Sequence, residues 1–251
     1  MSNRNQYRVL VTGTAGTVGK AVGAMLRERG HFVRGLDLHR SGAAVDEAME
    51  GSIDDPETVG RAVAGMDTIV HLAAQPDEAP FMERLLKPNV IGVYRILEAA
   101  REAAVRRVIL TSSIQVVDGF RETPECPVIR IADGTAPKNH YAVTKVLAEE
   151  WGGMYHRRFG LSVVAARLGW VPRSKTVVDC ASKRDRLRGL YLSHGDAGRF
   201  FCRAVEAESI GFAVVFVTGP AGGRPRFDPA DARDLFGYEP RDDFPEGLSF
   251  E

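Results

Sequence analysis

Short apolar runs alternate with stretches of helical periodicity along most of the 251 residues. The apolar runs are nearly continuous rather than alternating, which is typical of parallel strands covered by helices on both faces. They predict strands at 7–12, 31–37, 67–72, 107–112, 162–167 and 213–217, with another short strand near 47–53. The helical pattern predicts helices near 18–29, 56–64, 81–103, 138–158, 196–207 and 228–236.

This alternation of strand and helix predicts an α/β fold with a Rossmann-type doubly wound parallel sheet. Two long connections interrupt it, at 114–137 and 169–193, and long connections in such domains are usually functional. No change of composition marks a linker. We therefore expect one domain over 1–251, with a substrate-side loop at 169–193 and a short C-terminal annex at 218–251.

Charge and composition narrow the choice of partners. The chain carries 33 basic and 33 acidic residues, a formal net charge of zero, which argues against nucleic acid or an anionic membrane as the main partner. No apolar run approaches the length of a membrane span, and the first residues lack the apolar stretch of a signal peptide. The three cysteines, Cys126, Cys180 and Cys202, are far apart, which favours reduced thiols in a cytoplasmic protein and no metal site.

The glycine-rich stretch VTGTAGTVGK follows the first predicted strand and opens the first predicted helix. Gly13, Gly16 and Gly19 recur at three-residue intervals, the spacing with which a strand–turn–helix unit brings a pyrophosphate to the backbone and the helix N-terminus. The alternative is a turn with packing glycines. The strand before and the helix after favour a dinucleotide site, with these predicted contacts: Gly13, Thr14, Ala15, Gly16, Thr17, Val18 and Gly19.

Asp37 ends the second predicted strand, where a carboxylate accepts hydrogen bonds from an adenosine ribose and repels a 2′-phosphate. This favours NAD as cofactor. Arg40 follows closely and would serve NADP instead, and the plainest alternative for Asp37 is a residue that begins a turn.

Tyr141 and Lys145 lie four residues apart on a predicted helix and therefore on one face. The pKa of a tyrosine is near ~10, too high for a good base at neutral pH. A neighbouring ammonium and a cationic nicotinamide would both favour the phenolate, so the pair suits proton transfer. The alternative is a solvated lysine beside a half-buried tyrosine.

Several motifs occur together in an order that is far more specific than any one of them. They are TGTAGTVG at 12–19, Asp37, HLAA at 71–74, NVIG at 89–92, TSS at 111–113 and YAVTK at 141–145. Together they resemble the extended, epimerase/dehydratase-like branch of the short-chain dehydrogenase/reductase superfamily over residues 7 to about 172. The resemblance implies that Ser113 holds the reacting hydroxyl, that Tyr141 is the acid/base, and that Lys145 orients the ribose and lowers the tyrosine pKa. It also implies a proton relay through Asn89 and leaves Ser112 the less favoured serine.

The same resemblance implies further contacts with cofactor and substrate. On the cofactor side these are Ser52, Ile53, Leu72, Ala73, Ala74, Asn89, Tyr141, Lys145, Gly169 and Val171. On the substrate side they are Gln75, Ser113, Ile114, Gln115, Tyr141, Trp170, Arg173 and Arg184. The two arginines belong to a basic loop after the sixth strand, which is either a solvated charge run or a clamp for an anionic substrate.

Within the branch, the segments 191–207 and 237–247 are similar to the uronate dehydrogenase group, which oxidises the anomeric carbon of hexuronic acids. Ile114 and Gln115 stand where that group has Asn-His, and Pro76 replaces a substrate-contacting serine. The resemblance therefore implies an NAD-dependent oxidoreductase for a small sugar, sugar acid or polyol, with a carboxylated substrate favoured.

Two alternatives remain open at this point. One is a sugar epimerase or dehydratase that retains its NAD, although the short chain after Arg167 leaves little to enclose a nucleotide-sugar. The other is a non-catalytic protein that senses the cofactor, which retention of Tyr141, Lys145 and Ser113 argues against. Relatives often pair through the helices predicted at 81–103 and 138–158, so a homodimer is expected.

Overall fold

A computed structural model describes residues 6–39, 44–122, 128–181, 189–220 and 225–250. In these residues seven strands form one parallel sheet in the order β3-β2-β1-β4-β5-β6-β7. The strands are β1 Arg8–Thr12, β2 Phe32–Asp37, β3 Glu47–Glu50, β4 Thr68–His71, β5 Arg107–Ser113, β6 Ser162–Leu168 and β7 Phe212–Val217. The predicted doubly wound parallel sheet is confirmed.

Helices cover both faces of this sheet. The α-helices are α1 Thr17–Glu28, α2 Pro56–Val63, α3 Gly92–Glu102, α4 His140–Phe159, α5 Lys175–Ala181, α6 His194–Glu206 and α7 Ala230–Phe236. A π-helix at Phe81–Ile91 leads directly into α3, and 3₁₀ turns lie at Ile114–Glu122 and Ile131–Asp133.

The strands form where the apolar runs predict them because both faces of the sheet are covered. In β1, Val9 and Val11 pack with Leu26 and Phe200 on the face of α1 and α6. Leu10 packs on the opposite face with apolar residues of α2 and α3. A run with no polar alternation is what such a doubly buried strand requires.

Several helix boundaries differ from the predictions by one or two residues, among them those at His194 and Ala230, and two differences have clear local reasons. Pro88 has no backbone N–H, and the helix predicted at 81–103 is a π-helix around it that becomes regular only from Gly92. The helix predicted from 138 begins at His140, because the Asn139 side chain accepts the N–H of Ala142 at 2.7 Å and caps it. The helix α5 lies in a connection for which no helix was predicted.

The sheet order reverses direction at β1, whose neighbours are β2 and β4. Ligands of open parallel sheets bind in the crevice outside the carboxyl ends of the strands at this switch point. The turns that follow β1, β4, β5 and β6 meet there.

The C-terminal residues are held to the sheet by α6. The buried Asp196 accepts the backbone N–H groups of Arg241 and Asp242 at 2.9 and 3.0 Å and pairs with Arg199 at 2.7 Å. Phe244 then contacts the rings of Trp170 and Tyr191. Among the described residues, no helix is both long and apolar enough to cross a membrane.

Candidate active site

The turn after β1 has the geometry that a phosphate site requires. Gly13 has φ of +78°, and a Cβ there would lie 2.8 Å from the backbone nitrogen of Ala73 on the neighbouring turn. A Cβ on Gly19 would overlap the carbonyl oxygen of Gly13, so helix α1 packs directly against the turn. A Cβ on Gly16 would meet only one atom of the turn itself, which leaves the approach to the backbone open.

The surroundings of this turn fit a dinucleotide with an unsubstituted ribose. Helix α1 begins after Gly16 with no side-chain cap among the described residues, so its first N–H groups and its positive dipole end face the cleft. Asp37 lines the same cleft, and its Oδ2 accepts the N–H of Ala15 at 2.8 Å. That bond fixes a carboxylate beside the phosphate turn, where it favours free ribose hydroxyls. Arg40, the candidate for an NADP contact, lies outside the described residues.

A cleft of about 980 Å³ runs along the carboxyl edge of the sheet and brings most of the predicted site residues together. Those that line it on the cofactor side are Gly13, Ala15, Gly16, Thr17, Val18, Gly19, Asp37, Ser52, Ile53, Leu72, Ala73, Ala74, Gly169 and Val171. Those that line it towards the substrate are Gln75, Ser113, Ile114, Gln115, Tyr141, Lys145, Trp170 and Arg173.

Two predicted contacts lie elsewhere, and a third cannot be placed. Thr14 is buried under the turn, where its side chain packs over Gly35 of β2 instead of entering the cleft. Asn89 is also buried, and its amide accepts the Gln75 N–H at 2.8 Å and donates to the Gln75 carbonyl at 3.0 Å. Asn89 therefore holds the turn after β4 rather than lining the cleft. Arg184 lies outside the described residues.

The candidate proton-transfer group is built from the end of β5 and the first turn of α4. Ser113 and Tyr141 both line this end of the cleft, and the serine hydroxyl lies close enough to act on the tyrosine, whose pKa it lowers. Lys145, one turn along α4, donates from Nζ to the Thr111 carbonyl at 2.9 Å and lies 5.5 Å from the centre of the Tyr141 ring. The spacing of four residues thus places both side chains on the cleft face of the helix.

Burial governs the protonation of both groups. It raises the pKa of Tyr141 to about 12, against the opposing effect of the nearby Ser113 hydroxyl. It lowers the pKa of Lys145 to about 8. The expectation that Lys145 lowers the tyrosine pKa is thus not met by these side chains alone, because Tyr141 is only 8% exposed and desolvation of its phenolate is the larger effect.

A buried ion pair between Glu149 and Arg167 binds Ser112, the first of the two serines at the end of β5. Glu149 of α4 accepts from Arg167 Nε and Nη2 at 2.9 and 2.8 Å and from the Ser112 hydroxyl at 2.5 Å. Glu149 and Arg167 are both almost fully buried. Because Ser112 is engaged with Glu149, the hydroxyl available to the cleft is that of Ser113.

The outer part of the cleft carries polar residues that the motifs do not point to. Arg173 Nη2 lies 2.8 Å from Asp77 Oδ2, and Arg121 Nη1 lies 3.1 Å from Asp118 Oδ1. All four residues line the cleft. Asp118 is half-buried, and this burial raises its pKa. Single acidic residues in irregular connections leave no periodic signal, so the sequence predicts Arg173 but not its partner Asp77, and only the length of the 114–137 connection indicates Asp118 and Arg121.

The fold and this cleft define a dinucleotide-binding protein with a serine, a tyrosine and a lysine at the far end of the site. The model of the NAD dependent epimerase/dehydratase family matches residues 9–171. The chain belongs to that family.

Relatives of known activity cover most of the chain. It is similar to the uronate dehydrogenase of Pseudomonas syringae pv. tomato, with 32% identity over 83% of this chain and 73% of that protein. It is also similar to an L-arabinose 1-dehydrogenase (NAD(P)(+)) of Haloferax volcanii, with 28% identity over 94% of this chain and 96% of that protein. Among solved structures, a glucuronic acid dehydrogenase from Chromohalobacter salexigens has a TM-score of 0.82 at 27% identity, covering 95% of this chain and 86% of that one.

Proposed function

We propose that this protein is an NAD-dependent dehydrogenase that oxidises a hydroxyl group of a small sugar or sugar acid. The observation that carries the proposal is the group of Ser113, Tyr141 and Lys145 at one end of a cleft whose other end has the phosphate turn and Asp37. The likeness to uronate dehydrogenases and an arabinose 1-dehydrogenase supports a sugar as the substrate.

The cofactor would be held by the turn at 13–19 and by Asp37, with Lys145 reaching towards its sugar. NAD supplies the hydride acceptor when it is bound, and its oxidised nicotinamide adds a positive charge that favours the phenolate. Ser113 orients the substrate hydroxyl, and Tyr141 accepts its proton. Asn89 acts by holding the Gln75 turn.

Residues after β6 complete the substrate side of this proposal. Trp170, Arg173, Val177 and Leu190 line the cleft, and Phe244 packs on Trp170. This supports treating 1–251 as one NAD-binding unit in which 169–193 and 218–251 serve the substrate.

The proposal includes a homodimer formed through the 81–102 segment and α4. Their outer faces carry exposed apolar side chains, Met82 and Tyr94 on one and Val143 on the other. The Tyr94 ring also packs on Trp151, which joins the two helices into one surface. Exposed apolar residues that form such a joint surface commonly mark a protein interface. A cytoplasmic location is proposed from the few, widely spaced cysteines.

Net formation of NADH tests the function against its alternatives. Purified protein with NAD and a panel of aldoses, hexuronates, aldonates and nucleotide-sugars should accumulate NADH with at least one small sugar or sugar acid. An epimerase or dehydratase that retains its NAD would convert a sugar without net formation of NADH. A protein that only senses the cofactor would bind NAD and turn over no substrate. Either result would contradict the proposal. Tyr141→Phe is the matched control, since it should bind NAD and lose turnover.

A further inference from the structure

The guanidinium at the outer end of the cleft is already matched by a carboxylate. Arg173 donates to Asp77 Oδ2 at 2.8 Å, and Asp77 Oδ1 accepts from Gln115 Nε2 at 3.3 Å. The side-chain oxygen of Gln115, Oε1, in turn accepts from Nδ2 of Asn139, the cap of helix α4, at 2.9 Å. Asp77 thus stands between two of the predicted substrate contacts, Arg173 and Gln115.

The position of Asp77 is set by the fold and not only by this exposed pair. On one side of it, both backbone groups of Gln75 are bonded to the buried Asn89 amide. On the other side, the Glu78 carboxylate accepts the backbone N–H of Tyr141 at 2.9 Å. Asp77 itself has φ of +63°, a left-handed conformation that is uncommon outside glycine and tolerated by aspartate. The carboxylate is therefore presented to the cleft from a turn anchored on both sides.

The second guanidinium of the described cleft lining is matched in the same way. Arg121 lies 3.1 Å from Asp118, and both belong to the 3₁₀ segment after β5. Of the basic side chains described in the cleft, this leaves Lys145 without a carboxylate beside it, and Lys145 donates to the Thr111 carbonyl at the proton-transfer end.

We infer that Asp77 is a specificity-determining residue that neutralises Arg173 and directs the cleft towards uncharged sugars rather than hexuronates. The inference rests on the proposed dehydrogenase function and deepens it by naming the substrate class. A substrate carboxylate reaching Arg173 must either displace Asp77 or lie beside it, and like charges at close range oppose both arrangements. A neutral polyhydroxylated sugar instead donates hydroxyl protons to Asp77 and Asp118 and accepts from Gln115 and the guanidinium groups.

One interpretation of the basic loop after β6 is that Arg173 binds an anionic substrate. The pairing of Arg173 with Asp77 favours a neutral substrate instead. It places Asp77 in a discriminating role because rejection of a wrong substrate commonly depends on an unfavourable charge or an unpaired group. It does not require Asp77 to contact the reacting atoms.

The test compares kcat/KM for D-glucose and L-arabinose with kcat/KM for D-glucuronate and D-galacturonate, in wild type and in Asp77→Asn. Asparagine keeps the size and the acceptor oxygen and removes the charge. We expect wild type to favour the aldoses, and Asp77→Asn to shift the uronate-to-aldose ratio about two- to fivefold towards uronates, because the pair that holds Arg173 is more than half exposed. The double variant Asp77→Asn/Arg173→Gln should lose this shift towards uronates, because it no longer has the Arg173 guanidinium that would bind the uronate carboxylate.

Asp231→Asn is the matched control, an exposed carboxylate of α7 outside the cleft, and it should leave the ratio unchanged. Turnover with hexuronates favoured in wild type, or an unchanged ratio in Asp77→Asn, would overturn this inference and leave the dehydrogenase function standing. No NADH from any member of the panel would overturn both together.

Discussion

The buried pair of Glu149 and Arg167 gives the sharpest stability prediction. We expect Glu149→Leu to leave the Arg167 guanidinium buried beside apolar groups and the Ser112 hydroxyl without its acceptor. Three hydrogen bonds are lost, at 2.9, 2.8 and 2.5 Å, in a site where both charged residues are at most 6% exposed. Removing one partner of such a pair costs about 3–5 kcal/mol of unfolding free energy.

The same reasoning predicts that the double variant Glu149→Leu/Arg167→Met recovers much of the loss. With no charge left to bury, the desolvation penalty disappears, and the introduced methionine side chain would pack on Phe216, over which the Arg167 guanidinium now lies at 5.3 Å. Urea unfolding followed by circular dichroism measures the stability of both variants against the wild type. A matched control is Asp234→Asn: its pair with Arg233 is more than half exposed, so this variant should leave the free energy of unfolding nearly unchanged.

Two results would show that Glu149 and Arg167 do not form a desolvated ion pair of this strength. One is a loss below about 1 kcal/mol in Glu149→Leu, which would mean that the pair is not desolvated. The other is a double variant no more stable than the single one, which would mean that the cost comes from packing rather than from an unpaired charge.

Three further predictions concern the cofactor and pH. NAD should bind more tightly than NADP in calorimetry, and Asp37→Ala should narrow the difference, because Asp37 lies beside the phosphate turn; tighter binding of NADP by wild type would contradict this. The rate of sugar oxidation should rise from neutral to alkaline pH, because Tyr141 must lose a proton that burial holds with a pKa of about 12; a rate that falls over this range would place the base elsewhere. Burial lowers the pKa of His71 to about 3, so the native state excludes a proton that the unfolded chain binds below its ordinary pKa of about 6.5. The contribution of His71 to the free energy of unfolding is therefore complete above about pH 6.5 and should fall by up to ~1.4 kcal/mol per pH unit below it. The variant His71→Gln should reduce this slope, whereas the control His39→Gln, at an exposed position, should leave it unchanged.

The sequence predicts the sheet well because its signal is local. Continuous apolar runs mark strands buried on both faces, and Val9, Leu10 and Val11 are indeed buried on alternating faces. The phosphate turn is equally local, since the conformation of Gly13 and the contact at Gly19 follow from spacing between one strand and one helix.

What the sequence does not predict depends on contacts between distant elements. Thr14 lies within the phosphate motif, yet its side chain packs on Gly35, and no pattern in the motif distinguishes it from its neighbours. Asn89 belongs to a known motif, but its bonds to Gln75 depend on how the π-helix passes the turn after β4. Asp77 is an isolated acidic residue, and its importance appears only when Arg173 is brought to it from nearly a hundred residues away.

The central claim is that this cleft moves a hydride from a sugar to NAD. The most direct measurement uses the best aldose substrate with deuterium in place of every carbon-bound hydrogen and follows the label in the isolated NADH by mass spectrometry. The account predicts that wild type transfers the deuterium to NADH and that Tyr141→Phe forms almost none. NADH that forms without the label, or a labelled sugar that changes configuration with no NADH released, would contradict the account.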